Sequence, residues 1–348
     1  MKNLFLHLIV TLTVLFSCRQ AGTDDNETVN KNTPASYDLY VAGNDENNTA
    51  SYWKNTAKTI LSSGAGCTAT KVTVDNTDVY VEGIKIDPST YIPKYYYWKN
   101  NIRYDIEQQL GLQPSDGFKL KDMAFKNGDV YIVGNIKNPS STNMNDAYQL
   151  CYWKNGSKTV LHTHNAGTLT SESDMEIINN DIYITATKNY NSGNYDAGYY
   201  KNGTYYFLSN TKNFFKFLYN ASGVYLIARH RQTGALEEYN LSANTYMAFP
   251  SYINPIDFRN VEWDNGNKYY TSLQNYYKNS TQYSLGSAGS PFVFCDDFKV
   301  LDNNIYKILH KDNSGIDYKV YINNVEVLTT TNTGNQNGRF RSLTIIPN

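Results

Sequence analysis

A short motif recurs along the chain and limits its fold more than any other feature. The motif reads Asp or Asn, an aliphatic residue, Tyr, an aliphatic residue, any residue, then Gly or Ala, and clear copies span 38–43, 78–83, 129–134 and 181–186. Weaker copies span 223–228, 267–272 and 304–309. The shared tyrosines lie 37 to 52 residues apart, at Tyr40, Tyr80, Tyr131, Tyr183, Tyr225, Tyr269 and Tyr306. This period is typical of repeated supersecondary units, so the sequence predicts about seven of them.

A second motif, Tyr-Trp-Lys-Asn or a close variant, lies downstream of the first in most units. Its copies span 52–55, 97–100, 152–156, 199–203 and 276–279, with degenerate forms at 238–240 and 320–324. Asn-Gly, Asn-Asn and Asn-Ser pairs favour the positive φ angles of two-residue hairpin turns. A similar turn and an alternating strand precede the first motif, as in 121–126. Each unit should therefore contain four antiparallel strands, and such units at this period are typical of a β-propeller blade.

The phase of the repeat predicts how the ring closes. The first unit begins at 37–43 with a second-type strand and lacks an inner strand, whereas 340–346 at the C-terminus has no unit after it. We expect these two segments to pair, because closure removes the free sheet edges that promote aggregation.

The N-terminus has the pattern of an export signal. Lys2 precedes an apolar run over 4–16, which is too short to span a bilayer, and the run ends in Leu15-Phe16-Ser17-Cys18. This segment resembles a bacterial lipoprotein signal peptide. The resemblance implies cleavage before an acylated Cys18, a signal peptide over 1–17, a flexible tether over 18–36 and the propeller domain over 37–348. Because Arg19 follows the cysteine, we expect outer-membrane attachment, on the periplasmic face or at the cell surface.

Charge and motif searches exclude several functions. A net charge of −1 gives no basic surface for nucleic acid. Cys67, Cys151 and Cys295 form no CxxC pair and are expected to be buried, so neither a disulfide framework nor a zinc site is predicted. His162 and His164 are expected to form a solvent-facing pair, with metal binding as the less favoured alternative. No catalytic residue, cofactor or metal site is predicted from sequence motifs.

The turn lengths divide the ring into two faces. Tight Asn-containing turns form one face, the tight-turn face. The opposite, long-loop face carries the connections 84–94, 135–149 and 187–197 within units and 107–117, 162–171, 249–257 and 330–338 between units. Binding residues usually lie in loops on a rigid scaffold. The predicted ligand contacts are Tyr91, Tyr95, Tyr148, Asp146, Tyr190, Tyr195 and Asp196, since aromatic rings beside carboxylates suit sugars and proteins alike.

A polar residue also recurs nine positions before the motif tyrosine, on each predicted inner strand. The set is Lys71, Asp122, Asp174, Lys216, Asn260 and Asp297, with Ser342 as a possible seventh member. This polar ring should lie at the mouth of the central channel. It could bind a cation or a polar substrate, but the mixture of Lys and Asp favours charge pairs between neighbouring blades.

Taken together, residues 1–18 and most of 37–348 resemble bacterial lipoproteins with propeller repeats of the Tyr-Trp-Lys-Asn-Gly type. The resemblance indicates the fold more than the activity, and the leading hypothesis is a membrane-anchored binding or scaffold protein of the envelope, engaging a glycan, a peptide or an envelope protein through the long-loop face. Two alternatives stay open. One is a hydrolase or lyase acting on polysaccharide at the channel mouth, and the other is a structural subunit of an outer-membrane complex.

Overall fold

The strands pair in four-membered antiparallel groups. The computed structural model describes residues 37–165, 173–189, 195–287, 289–311, 317–330 and 338–348. Over these ranges, seven four-stranded antiparallel sheets form a ring, as expected for a seven-bladed β-propeller. No helix in these ranges is long and apolar enough to cross a membrane.

The strands follow one another with little other regular structure. Those of blades 1 to 4 are β1 (Tyr37–Asn44), β2 (Thr49–Lys54), β3 (Ala57–Ala65), β4 (Thr68–Asp75), β5 (Asp78–Ile86), β6 (Pro93–Lys99), β7 (Ile102–Asp105), β8 (Lys119–Lys126), β9 (Asp129–Lys137), β10 (Tyr148–Lys154), β11 (Ser157–His164), β12 (Met175–Ile178), β13 (Asp181–Asn189), β14 (Tyr195–Lys201) and β15 (Thr204–Ser209). Those of blades 5 to 7 are β16 (Lys212–Asn220), β17 (Gly223–His230), β18 (Leu236–Asn240), β19 (Thr245–Ala248), β20 (Asn260–Asp264), β21 (Asn267–Thr271), β22 (Asn275–Lys278), β23 (Thr281–Ser284), β24 (Phe292–Leu301), β25 (Asn304–Lys311), β26 (Tyr318–Ile322) and β27 (Val325–Thr329). The chain ends with β28 (Arg339–Pro347).

Within the described ranges, three short helical segments lie on the long-loop face. A helix, α1 (Ile106–Gln109), and a 3-10 turn over Pro114–Asp116 lie between β7 and β8, where the sequence predicted a loop. Asp105 caps α1, accepting a hydrogen bond from the Gln108 N–H at 3.1 Å. A further 3-10 turn spans Met144–Asp146.

The predicted ring closure is confirmed. In blade 1 the order is β28-β1-β2-β3, so the C-terminal strand supplies the inner strand that the first unit lacks. Strands β28 and β1 are antiparallel, with Leu343 opposite Val41. Phe340, only 1% exposed, packs edge-on against Trp53 with ring centroids 4.9 Å apart. The first and last strands therefore share one sheet and one apolar cluster.

The Asn-containing turns have the predicted conformation, and their contacts explain the two sequence motifs. Asn55 has a φ of 55°. Its side chain accepts a hydrogen bond from the Leu39 N–H at 2.9 Å and donates one to Asp38 at 3.0 Å. Lys54 forms an ion pair with Asp38 at 2.7 Å and lies over the ring of Tyr40. The same set recurs in blades 2, 3 and 4, on Asp78, Asp129 and Asp181. The repeated motifs are thus two halves of one hairpin contact, which serves the scaffold.

The motif aromatics form the apolar layers between blades. Trp98 and Trp153 are almost fully buried, and the ring of Tyr80 stacks on Phe125 of the next blade at 4.2 Å. Cys67, Cys151 and Cys295 are free and buried, as predicted. Burial raises the pKa of the Cys151 thiol to about 11, so this side chain behaves as a small apolar group.

Deleting 339–348 should destabilise the whole ring, because it exposes one edge of β1 and removes the buried Phe340 and Leu343 side chains. We expect Tm to fall by roughly 10 °C or more. Thermal unfolding followed by circular dichroism measures this. The matched control removes Asn348 alone and should leave Tm unchanged. Full retention of Tm in the longer deletion would contradict the role of closure.

Candidate functional site

The long-loop face contains a groove between blades 2 and 3. Its walls are the loop 87–92 with the start of β6, and the α1 segment with the start of β8. The groove has a volume of about 1020 Å³, close to the upper end of typical small-ligand sites. We call it the blade 2–3 groove.

Aromatic and aliphatic side chains form the apolar part of the blade 2–3 groove. Tyr95, which is partly buried, meets Phe118 edge to face at 5.7 Å, and Phe118 packs in the same way on Trp153. Tyr91 is 78% exposed and Ile92 is 60% exposed, so both present apolar surface at the rim. The floor is therefore fixed by the core, whereas the rim is open to a ligand.

The loop that carries Tyr91 is internally braced. The Asp87 carboxylate accepts hydrogen bonds from the Ser89 hydroxyl at 2.6 Å and from the Ser89 and Thr90 N–H groups at 2.9 and 3.0 Å. These bonds hold the pKa of Asp87 well below its usual range. Tyr91 has a φ of 56°, a left-handed conformation that is uncommon for a residue with a large side chain. Such backbone geometry persists only where neighbouring contacts hold it, and it places the ring at the groove rim.

Three lysines surround the groove. Lys94, Lys119 and Lys137 are exposed, and within the part of the chain that the structure describes none of them forms an ion pair or a hydrogen bond. Gly117, with a φ of 60°, leaves space for the Lys137 stem to cross the backbone. On the floor, burial raises the pKa of Glu107, Asp105 raises it further, and Lys94 opposes both.

The structure brings together only part of the predicted ligand set. Tyr91 and Tyr95 line the blade 2–3 groove. Asp146 and Tyr148 lie elsewhere on blade 3, where Asp146 accepts a hydrogen bond from Ser141 at 2.8 Å and Tyr148 stacks on His164. Asp196 belongs to blade 4, and its carbonyl oxygen accepts a bond from the Tyr205 hydroxyl. Tyr190 lies outside the described residues, and so does the side chain of Tyr195.

The sequence analysis missed the half of the groove that blade 3 and α1 provide. Phe118, Glu107 and Lys119 belong to no repeat position. The one available signal was the length of the 107–117 connection.

The expectation of a solvent-facing histidine pair was wrong. His164 is only 2% exposed, and its Nε2 lies 2.8 Å from the Asn135 amide oxygen. His162 Nδ1 lies 2.9 Å from the hydroxyl of Tyr200 on blade 4. Burial lowers the pKa of both imidazoles, to about 3 for His162. Strand spacing places both rings on one side of β11, but that side packs against a blade. Among the described residues, no three His, Cys, Asp or Glu side chains form a metal-binding group.

The polar ring joins each blade to the next around the channel. The Asp122, Asp174 and Asp297 carboxylates accept hydrogen bonds from backbone N–H groups of the following inner strands at 2.8, 2.6 and 2.8 Å; the donors are Met175, Phe217 and Leu343. Ser342 accepts a bond from Val72 N–H at 3.0 Å, which carries the pattern across the closure. The other members donate instead: Lys71 to the Met123 carbonyl, Lys216 to the Asn260 side chain, and Asn260 to the Phe298 carbonyl. We call this set the inner belt.

A backbone irregularity aims several of these side chains. The strand register shifts just before Lys71, Asp122, Lys216 and Asp297. A β-bulge turns the following side chain and bends the strand. The bulge therefore explains how a single inner-strand position can reach the neighbouring blade in most of the ring.

The channel holds interacting charges. Burial raises the pKa of Asp174 to about 7, and the nearby Asp122 and Glu176 carboxylates add to the effect. Burial also raises the pKa of Glu82 to about 7, with Lys71 opposing at 3.6 Å. Lys299 pairs with Glu262 at 2.8 Å. The channel thus contains carboxyl groups that titrate near neutral pH, held between lysines and backbone donors.

Comparison with known proteins supports the architecture. No protein-family model matches the sequence, and no curated protein is significantly similar to it. The β-propeller domain of the Trilobed protease from Pyrococcus furiosus is 11% identical, with a TM-score of 0.50 over 86% of this chain and 95% of that one. This chain is a seven-bladed β-propeller. The Pyrococcus horikoshii acylaminoacyl peptidase is 10% identical, with a TM-score of 0.50 over 84% of this chain.

An acylaminoacyl peptidase in complex with Z-Gly-Gly-Phe-chloromethyl ketone has a TM-score of 0.51 at 10% identity, and covers 86% of this chain and 51% of its own. The chain spans about half the length of the peptidases that it matches first. At this identity the likeness shows the fold alone. The Pyrococcus furiosus domain is described as having an open velcro topology, whereas β28 closes the ring here.

Asp174→Asn should change how stability depends on pH. In the folded protein the pKa of Asp174 is about 7, against an ordinary value of 3.8, so the folded state binds this proton more tightly than the unfolded chain. Its contribution is therefore present at low pH and is lost as pH rises from about 4 to about 7. Asn keeps an oxygen for the Phe217 N–H and removes the titration. Relative to the wild type, the variant should gain on the order of 3 kcal/mol between pH 4.5 and 8 in urea unfolding.

Asp181→Asn in the same blade is the matched control. The Lys201 ion pair lowers the pKa of Asp181, so its loss should cost stability at neutral pH and less at acid pH, the opposite slope. Parallel pH profiles for the wild type and Asp174→Asn would show that Asp174 does not titrate as described.

Proposed function

We propose that this protein is a membrane-anchored binding protein of the bacterial envelope, which takes its ligand in the blade 2–3 groove. The observation that carries the proposal is the groove itself, with an aromatic floor, an exposed Tyr91 on a braced loop and unpaired lysines at its rim. An apolar site with a few convergent polar groups is the usual form of a ligand pocket. A glycan, a peptide or a segment of an envelope protein are the ligand classes that such a site can accept.

The anchor in this proposal is Cys18, carrying two or three acyl chains. At about 0.8 kcal/mol per buried methylene, several chains hold a protein on a membrane essentially permanently. Attachment to the outer membrane, on its periplasmic side or at the cell surface, would place the groove where envelope and extracellular ligands pass.

Cys18→Ser should move the protein from the membrane fraction to the soluble fraction and abolish incorporation of radiolabelled palmitate. The matched control, Ser17→Ala, keeps a small residue before the cysteine and should stay labelled and membrane-bound. Labelling that persists in Cys18→Ser would rule out this anchor.

Tyr91→Ala should weaken ligand binding without affecting the fold, because the side chain is 78% exposed. A stacked aromatic contact contributes about 1 kcal/mol, so we expect roughly five- to tenfold weaker binding of any ligand found in a glycan and envelope-protein screen. Hydrogen exchange should then show ligand protection over 84–94 and 107–119.

The control for this substitution is Tyr219→Ala, which removes another exposed tyrosine, at the tight-turn end of β16. It should leave affinity unchanged. A ligand that protects the tight-turn face, or one that binds Tyr91→Ala as tightly as the wild type, would contradict the groove as the site.

A hydrolase or lyase acting on polysaccharide in the channel is the second candidate. The raised pKa of Asp174 and of Glu82 favours it, because carboxyl groups that titrate near neutral pH suit general acid or base catalysis. Against it, Asp122, Asp174 and Asp297 each bond to the next blade. Polysaccharide cleavage that is lost in a folded Asp174→Asn variant would support this candidate. The third, a structural subunit, requires stoichiometric co-purification with a membrane complex.

A further inference from the structure

We propose that the blade 2–3 groove binds a carboxylate-bearing saccharide, of the polyuronate class. This inference rests on the proposed function, because it names the ligand chemistry of the same groove.

The groove lining has three lysines and three carboxylates, but the lysines are exposed and the carboxylates are half-buried, so an incoming ligand meets the positive charges first. Of its acidic side chains, Asp87 is used by the N–H groups of its own loop, and Asp105 caps α1. Glu107 is the remaining carboxylate in the described lining, and Lys94 lies near it. Lys119 and Lys137 then have no carboxylate partner in the described chain. Exposed ammonium groups without a partner around one cavity attract a ligand that carries spaced negative charges.

The apolar surface favours a sugar ring as the carrier of that charge. Tyr91 offers an exposed aromatic face at the rim, and Tyr95 and Phe118 offer a fixed aromatic floor. Sugar rings place C–H groups on their faces and hydroxyls around their edges. The faces can stack on the tyrosines, while Gln108 and Glu107 in the same lining provide amide and carboxylate partners for the hydroxyls.

An extended acidic peptide fits the groove less well. Peptides commonly bind by adding a strand to an open sheet edge. Strand β6 pairs with β5 along its whole length and with β7 from Tyr96 onward, so its open side is limited to Pro93–Tyr95, and Pro93 has no N–H to donate. A longer peptide at this wall would leave most of its backbone groups without strand partners, whereas a saccharide has no such requirement.

The volume of the groove sets the size of the bound segment. About 1020 Å³ is enough for a short oligosaccharide rather than a single sugar. Its three rim lysines can then meet carboxylates on successive sugar units.

The test compares two polymers that differ only in charge. The full chain, purified in detergent, is titrated calorimetrically with polygalacturonate and with the same polymer after methyl esterification. We expect tight binding to the acid form, at least about tenfold weaker binding to the ester, and loss of most of this difference as salt is raised.

Amino-acid substitutions test which residues produce the preference for the acid form. The combined change Lys94→Ser, Lys119→Ser and Lys137→Ser should weaken binding of the acid form about tenfold and leave the ester unaffected, since three exposed ion pairs are lost. The matched control is Lys126→Ser, at the other end of the same strand as Lys119 and on the tight-turn face; it should change neither affinity. Tyr91→Ala should weaken both polymers equally.

The outcomes separate this inference from the function on which it rests. Equal binding of acid and ester, with sensitivity to Tyr91→Ala, would overturn the polyuronate class and keep the groove as a saccharide site. Binding of polyglutamate in the groove in place of either polymer would overturn the saccharide and support an acidic peptide. If a ligand from the screen binds elsewhere on the protein, the proposed function fails as well.

Discussion

The inner belt is the interaction on which the rest of the structure depends. In a ring of sheets, backbone ladders hold each blade together but do not fix one blade against the next. Here a polar side chain from each inner strand bonds to the following blade, and in most cases the partner is the backbone of the residue just after the equivalent position. Apolar layers such as Tyr80 against Phe125 supply most of the burial energy, but they are non-directional. The inner belt fixes the position of each blade relative to the next, because a side chain–backbone hydrogen bond is directional and specifies one register between strands.

Ring closure and the inner belt depend on the same strand, β28. Strand β28 contributes Leu343, which donates to Asp297 of blade 7, and Ser342, which accepts from Val72 of blade 2. Its absence would break two bonds of the belt as well as the blade 1 ladder. The same belt lies under the candidate site: Lys71 of blade 2 bonds to the Met123 carbonyl of blade 3, and these are the blades that form the groove. A buried charge costs free energy unless it is hydrogen-bonded, and these carboxylates meet backbone donors that point at them. The polar contact between Lys71 and Met123 therefore joins the same two blades as the packing of Tyr95 on Phe118.

The sequence predicted the scaffold well because the residues that build it act locally and repeat. Asp38, Lys54 and Asn55 lie in one hairpin, so their spacing is visible in the sequence, and the phase of the same repeat placed β28 beside β1. The members of the polar ring bond mainly to backbone groups of the next blade, and Lys71 and Asp122, 3.4 Å apart, form a pair of opposite charges between two blades. Of the residues that line the groove, the sequence singled out only those on blade 2. Tyr91 and Tyr95 lie in a long connection of one blade, but Phe118 and Lys119 reach them from the next blade, a juxtaposition that no repeat encodes. His162 and His164 show the same limit. Two residues that lie two apart on a strand point to the same face of the sheet, but this spacing does not predict which part of the protein packs on that face.

The two faces of the ring differ in how their polar groups are used. On the tight-turn face, the Asp–Lys–Asn contacts occupy the polar groups that the motifs provide, so little polar capacity is left for a ligand. On the long-loop face the connections differ from blade to blade. Between blades 2 and 3 the connection folds into α1 and a 3-10 turn, held by the Asp105 cap and by a hydrogen bond from the Gln113 N–H to Asp116. These internal bonds let an irregular segment keep a fixed shape without joining a sheet, and Lys119 and Lys137 have no carboxylate partner among the described residues. The seven-fold repeat thus supplies a rigid frame, and the candidate site lies where that repeat is interrupted.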